Sequence, residues 1–206
     1  MEQTQISDEQ LLAQYQEGDK AAFSELMRRY EKELYNFLLR FLGQASLAED
    51  VYQETFLQVH LSAETFNIER RFRPWLYTIA ANKARDMLRS RARRPTVQLS
   101  TGPNEEDTLG SLWDNLMREE ETPVTIFDAN QQQALVREVV GKLPDHLREI
   151  IVLAYFNQLS YKEMADTLKI PLGTVKSRLH SAVAAFSRKY QEMDPDRREK
   201  DEENGV

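Results

Sequence analysis

From Lys20 to Leu42 the apolar residues Phe23, Leu26, Met27, Tyr30, Leu34, Phe37, Leu38 and Phe41 return every three or four positions. That repeat marks one face of an α-helix, and a stripe this long has to be covered by other elements. Seven Gly and seven Pro among 206 residues leave few positions for positive-φ turns. A turn-rich sandwich or barrel is therefore disfavoured, and the partners of the stripe are expected to be helices as well.

The surrounding sequence supplies them. Gly18-Asp19 gives a break and a capping aspartate before the long helix, and Gly43 closes it. Ser7-Asp8-Glu9-Gln10 opens a shorter preceding helix that carries Leu11, Leu12 and Tyr15. A third helix is expected from about Ser46, with Glu49 completing a capping box, burying Ala48, Val51, Tyr52, Thr55 and Val59. A fourth is expected from about Pro74 to Arg94, with Phe72, Leu76, Ile79 and Met87 inward and Trp75 mostly buried. After Pro95 the periodicity stops, and Ser100 to Asp107 reads as an acidic, flexible linker; within it Leu109, Leu112, Trp113, Leu116 and Met117 could form a short helical stretch.

Order resumes near Asp128. Ala134, Leu135, Val139 and Val140 mark a helix ended by Gly141 and Leu143-Pro144, and Leu147 to Phe156 forms the next, stopping at Asn157-Gln158. Ser160-Tyr161-Lys162-Glu163 is a capping box opening a short helix with Met164, Ala165 and Leu168. Lys169-Ile170-Pro171 breaks it, and Leu172 to Tyr190 runs on as a longer helix. Two helices around a tight turn inside a helical bundle form the helix-turn-helix plan. The expected fold is all-α: two small helical domains joined by a flexible acidic linker, the second containing the helix-turn-helix. The boundaries fall at 1–95, 96–127 (linker), 128–190 and 191–206 (an acidic tail expected to be disordered).

A net charge of −7 conceals a sharply uneven distribution. Residues 1–69 carry −8, 70–95 carry +8, 96–128 carry −7, 129–168 carry −1, 169–190 carry +5 and 191–206 carry −4. Two basic islands in an acidic chain suit two separate polyanion contacts, although for one island alone a solvated helix face is the preferred reading. In the second island, Val175 and Leu179 would seat the longer helix, and Ala165 would sit where the two helices cross. That leaves Lys176, Ser177, His180 and Ser181 on the free face, with no acidic residue from Lys169 to Tyr190 to repel phosphate. This face can enter a major groove, while Arg178, Arg188 and Lys189 suit backbone phosphates. In the first island, Arg70, Arg71 and Arg73 flank Phe72, and Trp75, Tyr77, Asn82, Lys83, Arg85 and Arg89 follow. Aromatics interleaved with cations suit single-stranded or melted DNA better than an intact duplex.

Other classes find little support. With no cysteine there is no disulfide framework, thiolate metal site or cysteine nucleophile, which suits a reducing, cytoplasmic setting. No apolar run has the length of a membrane span, and Met1-Glu2-Gln3-Thr4-Gln5 does not open a signal peptide. No Gly-rich phosphate loop occurs, and His60, His146 and His180 are scattered. Asp50 and Glu54 could share a helix face as metal ligands, but no histidine accompanies them at a binding spacing. No enzymatic activity, catalytic residue, cofactor or metal is expected. A regulator with a sensory or dimerising first domain is the other rival, and it gives no use to the first basic island.

Four motifs then stand in order: Ala48-Glu49-Asp50-Val51-Tyr52-Gln53-Glu54-Thr55-Phe56, Phe72-Arg73-Pro74-Trp75-Leu76-Tyr77-Thr78-Ile79-Ala80-Ala81-Asn82, Leu159-Ser160-Tyr161-Lys162-Glu163-Met164-Ala165, and Pro171-Leu172-Gly173-Thr174-Val175-Lys176-Ser177-Arg178-Leu179. Together they resemble bacterial sigma factors of the extracytoplasmic-function group, across residues 8–190 apart from the linker. The resemblance implies a dissociable subunit whose partners are core RNA polymerase and promoter DNA, and it leaves open an anti-sigma protein as a further partner. It implies polymerase docking through Asp50, Gln53, Glu54 and Leu57. It implies minus-10 contacts from Arg70, Arg71, Phe72, Arg73, Asn82, Lys83, Arg85 and Arg89, with the loop from Phe66 to Arg73 capturing a flipped base. Asn67-Ile68-Glu69-Arg70-Arg71 stands where the family usually has small residues. Minus-35 reading is implied for Thr174, Lys176, Ser177, Arg178, His180 and Ser181.

Overall fold

The computed structural model describes residues 6–93 and 126–193; the linker and tail expectations lie outside them except at 126–127 and 191–193, which belong to helices instead. Among the described residues the regular structure is entirely helical. The first domain holds α1 (Asp8–Gln16), α2 (Lys20–Leu42), α3 (Ala45–Ser62), a single 3₁₀ turn (Ala63–Thr65) and α4 (Phe72–Arg93). The second holds α5 (Ile126–Gly141), α6 (Asp145–Ile151), a π-helical turn (Val152–Phe156), α7 (Tyr161–Leu168) and α8 (Leu172–Met193).

The long stripe forms as its period demands. Leu26, Tyr30, Leu34, Phe37, Leu38 and Phe41 are buried, and Phe23 and Met27 pack at the margin. Asp19 caps the start of α2, accepting from the Ala21 amide at 2.8 Å. Gly43 ends it in the left-handed region at φ 73°, where a side chain would be strained. The Ser7/Gln10 capping box closes α1 at both ends of the motif. Ser160 and Glu163 do the same for α7.

The start of α3 differs from expectation. Its N-cap is Gln44, which makes no side-chain cap bond, so no Ser46/Glu49 box forms. Gln44 instead accepts a hydrogen bond from Arg91 of α4, and the helix begins early enough to place Ser46 inside its first turn. Ala48, Val51, Thr55 and Val59 are buried as expected; Tyr52 is only half-buried, and Phe56 joins the core. Trp75, expected mostly buried, is half-buried beside Phe66, their ring centroids 4.5 Å apart.

One feature of the second domain carries no sequence signal. What reads as a single helix from Leu147 to Phe156 widens into a π turn, after which the Asn157 amide donates to the Val152 carbonyl at 3.2 Å. Gln158 then takes a positive φ of 52° and reverses the chain toward α7. The two domains do not hold separate cores: one contiguous apolar cluster runs from Leu11 and Leu12 through α2 and α4 to Ile150, Leu153, Met164 and Leu179.

Candidate nucleic-acid interface

The turn between α7 and α8 is made by Lys169, which closes α7 in the left-handed conformation at φ 53°. Its amide donates back to the Ala165 carbonyl, as does that of Ile170 at 3.2 Å. The Val175, Leu179 and Ala182 side chains are buried, which seats α8 on the domain. Because side chains three and four apart share a helix face, the opposite face is presented outward: Lys176, Ser177, His180 and Ser181 are all exposed. Thr174 is half-buried, its carbonyl accepting from the Ser177 hydroxyl at 3.1 Å. Arg178 is half-buried too, turned enough toward the domain to act electrostatically on Glu149 of α6.

The first basic island is placed differently from expectation. Arg70, Asn82 and Arg89 are exposed, the last paired with Asp86 at 3.2 Å. Phe72 is wholly buried in the ring cluster of Tyr30, Phe66 and Trp75, with its amide donating to Glu9 at 2.8 Å. Its side chain thus sits inward, as its helical spacing implies, and helps hold the N-terminus of α4 in place. Lys83 lies 3.4 Å from Glu54, linking α4 to α3.

Three cations of the island face the second domain. Arg71, 80% exposed, is 3.3 Å from Glu163. Arg73 donates to Glu33 of α2 and, at 2.6 Å, to the Asn157 carbonyl. Arg85 sits 3.3 Å from Glu149, whose side chain is nearly inaccessible, and also donates to the Asn82 side chain at 2.7 Å. Around these ion pairs the Asn157 amide donates to the buried Tyr77 hydroxyl at 2.9 Å, and Thr167 donates to the Pro74 carbonyl at 3.4 Å. Arg40 of α2 stacks over Phe156, 4.5 Å from the ring centroid, and burial lowers its pKa to about 10. Burial likewise raises the Tyr77 hydroxyl well above the ordinary phenol range.

The face implied for polymerase docking lies on α3, away from this contact. Asp50, Gln53, Glu54 and Leu57 are exposed together, with Leu57 at 57%. Leu61, four residues on and 67% exposed, extends the apolar strip; its spacing from Leu57 was the available signal. Beside it a groove between α3 and α4 is lined by Leu47, Asp50, Glu54, Lys83, Met87 and Arg91. Sequence reasoning gave Glu163 a capping role and Asn157 a helix end, and gave neither of them nor Glu149 a contact with the first domain, because those partners are distant in sequence. Among the described residues no group of three or more His, Asp or Glu side chains could hold a metal ion, and no helix is long and apolar enough to cross a membrane.

Comparison with known proteins fits this geometry. The Sigma-70 region 2 model matches residues 26–94, and the Sigma-70 region 4 model matches residues 133–186. The RNA polymerase sigma-H factor of Pseudomonas aeruginosa is 33% identical over 92% of this chain and 97% of its own length. The extracytoplasmic-function sigma factor SigW of Bacillus subtilis is 30% identical over 88% of this chain and 96% of its own. Among solved structures, CnrH in complex with the cytosolic domain of CnrY shares 26% identity and a TM-score of 0.65, covering 91% of this chain and 99% of that one. The fold is also that of RpoE bound to the anti-sigma factor NepR from Bartonella quintana, at a TM-score of 0.60 and 18% identity, over 84% of this chain and 98% of that one. The chain belongs to the sigma-70 family and, within it, to the extracytoplasmic-function group of RNA polymerase sigma factors, DNA-binding proteins of transcription initiation.

Proposed function

We propose that this chain binds core RNA polymerase through the exposed α3 face and directs initiation by reading two promoter segments, a duplex minus-35 element with α8 and a melted minus-10 element with the α4 side of the first domain. The observation that carries this reading is the division of α8 into a buried seat of Val175, Leu179 and Ala182 and an acid-free outer face of Lys176, Ser177, His180 and Ser181. A helix so mounted can approach a major groove with cations and hydroxyls foremost, and phosphate contacts from Arg188 and Lys189 would fix its register. Thr174 and Arg178 border that face and belong to the same contact set.

For the minus-10 element the contact set is Arg70, Arg71, Arg73, Asn82, Lys83, Arg85 and Arg89. Cations that track a strand and a half-buried Trp75 beside Phe66 favour an unpaired strand over a duplex. On α3, Asp50, Gln53 and Glu54 surround Leu57 as polar groups around an apolar contact, the arrangement a polymerase docking site requires. The working units are residues 1–95 and 128–190, with 96–127 as connector and 191–206 as tail. The chain supplies recognition and leaves synthesis to the polymerase, acting in the cytoplasm without a catalytic site of its own. An anti-sigma protein is a further partner: RpoE, which shares the fold, is solved with the anti-sigma factor NepR, and CnrH is solved with the cytosolic domain of CnrY.

The test is reconstitution. Added to sigma-free bacterial core polymerase, the purified protein should give transcripts with defined start sites from a genomic promoter pool. An absence of any such transcript, with the protein folded and bound to core, contradicts the reading.

A further inference from the structure

Asn67 to Arg71 are all exposed and form the surface of the loop between the 3₁₀ turn and α4. Both ends of that loop are fastened to α1. At the near end the Gln16 side-chain amide donates to two carbonyls at once, that of Ala63 at 2.7 Å and that of Phe66 at 3.1 Å. At the far end the Phe72 amide donates to the Glu9 carboxylate at 2.8 Å. Glu9 and Gln16 stand about two turns apart on α1, so one side of that short helix makes both contacts.

The sequence explains why the far end needs outside help. Arg71 precedes α4 and carries no side-chain acceptor, so the first amide of that helix lacks the kind of cap that Ser7 gives α1 and Ser160 gives α7. Glu9 brings an acceptor and a negative charge to that N-terminus from another helix. The helix that carries Glu9 is itself firmly seated. Leu11 and Leu12 are buried, Asp8 accepts from Arg29 of α2 at 2.8 Å and from the Tyr30 hydroxyl, and Tyr15 shares a hydrogen bond with His60 of α3. Within the loop, Asn67 Oδ1 accepts from the Glu69 amide at 2.9 Å and the Asn67 carbonyl from the Arg70 amide at 2.9 Å.

We propose that α1 is the positioning element of the minus-10 loop: Gln16 and Glu9 fix where Asn67 to Arg71 stand relative to Trp75 and α4, and so set which unpaired base the first domain accepts. They act through the loop and not by contact with the base. This rests on the reading of the loop and the α4 side as the minus-10 site given above. A loop pinned at both ends before DNA arrives loses little freedom on binding and cannot shift to suit a base that fits badly. Released from α1, the same loop would adapt to any base and discriminate among them less.

The test uses the full chain. Gln16→Glu keeps the side-chain shape and, at about pH 8, removes the donor that both carbonyls use. Gln16 is exposed, so the change opens no cavity. Glu9→Ala removes the acceptor for the Phe72 amide, and Glu9→Gln supplies one again. Gln16→Ala is the milder variant should the others unfold, folding being checked by circular dichroism. Each variant, with core polymerase, transcribes promoter libraries randomised across the downstream or the upstream block, and the transcripts are sequenced. Amide hydrogen exchange of the free chain is followed alongside.

Gln16→Glu and Glu9→Ala should lower base preference roughly three- to tenfold at one or two adjacent downstream positions, with the other positions and the upstream block as in the parent. Glu9→Gln should restore the parental profile. Exchange should quicken at residues 67–71 in the first two variants and stay unchanged in α8. An unchanged downstream profile in folded variants overturns the proposal. So does an equal loss of preference in both blocks, which a destabilised domain would give, and so does parental exchange at the loop. A parent without positional preference downstream sinks the minus-10 reading instead, and the exchange measurement then still decides whether α1 holds the loop.

Discussion

Glu149 lies beside Arg85 of the first domain and within the influence of Arg178 and Arg89, with Asp145 opposing them, yet burial outweighs the arginines and raises its carboxyl from 4.5 to about 7. A carboxyl whose pKa is higher in the folded protein than in the unfolded chain binds its proton more tightly when folded, so its contribution to stability improves as pH falls toward the unfolded value. Across that window the difference is on the order of 3 kcal/mol. Glu149→Gln should therefore be more stable than the parent at about pH 8, with the gap closing by about pH 5. Thermal denaturation of both proteins at the two pH values checks this, and a gap independent of pH contradicts it. Glu163 differs: burial raises its pKa, but its bonds to Ser160 and the charges of Arg73 and Arg71 together lower it, so its contribution is lost only in acid, below the range where Glu149 titrates. On α8, Lys176 is the exposed cation best placed for a base edge, and a bidentate base contact is worth ~1–3 kcal/mol. Lys176→Ala should reduce transcription from a promoter that needs its upstream element by roughly tenfold, while a promoter with a strong downstream element changes little. Equal losses at both promoters would count against a reading role.

Among the elements, α3 and α7 make the sharpest predictions. Asp50→Lys reverses charge on an exposed turn, so it should weaken core polymerase binding without altering the melting temperature; an unchanged affinity in a direct titration removes Asp50 from the docking face. Ser160→Ala deletes the hydroxyl that caps α7 and should lower stability by about 1 kcal/mol in urea denaturation. The bounds of α2 were legible because an apolar period, an aspartate cap and a positive-φ glycine all coincide there. The same kind of signal misled at α3, since Ser46 and Glu49 have the capping spacing but Gln44, tied to Arg91, starts the helix first. No period distinguishes a π turn from the α-helix it interrupts, so the Val152–Phe156 turn that brings Phe156 and Asn157 to the first domain was invisible. The exposed face of α8 was legible because burial of Val175 and Leu179 fixes what lies opposite them. Phe72 was legible as an inward residue from its helical spacing, and its burial matches that reading.

For the whole molecule, what sequence could not supply was the contact between domains. Periodicity and charge runs are local, whereas the Arg73 to Asn157 bond joins residues 84 positions apart. Counting charges along the chain finds Arg73 and Arg85 as free cations, and only the fold reveals Glu33, the Asn157 carbonyl and Glu149 as their partners. On the proposed reading the molecule carries two recognition surfaces on one shared apolar cluster, the α8 face exposed and the α4 side in contact with the other domain. Sequencing the transcripts made by reconstituted polymerase from a library randomised across the whole upstream region measures this division of labour. Two separate conserved blocks should emerge, and Lys176→Ala should relax the upstream block while leaving the one next to the start site intact. A single block, or relaxation of both blocks by that substitution, would contradict the assignment of two promoter elements to two faces.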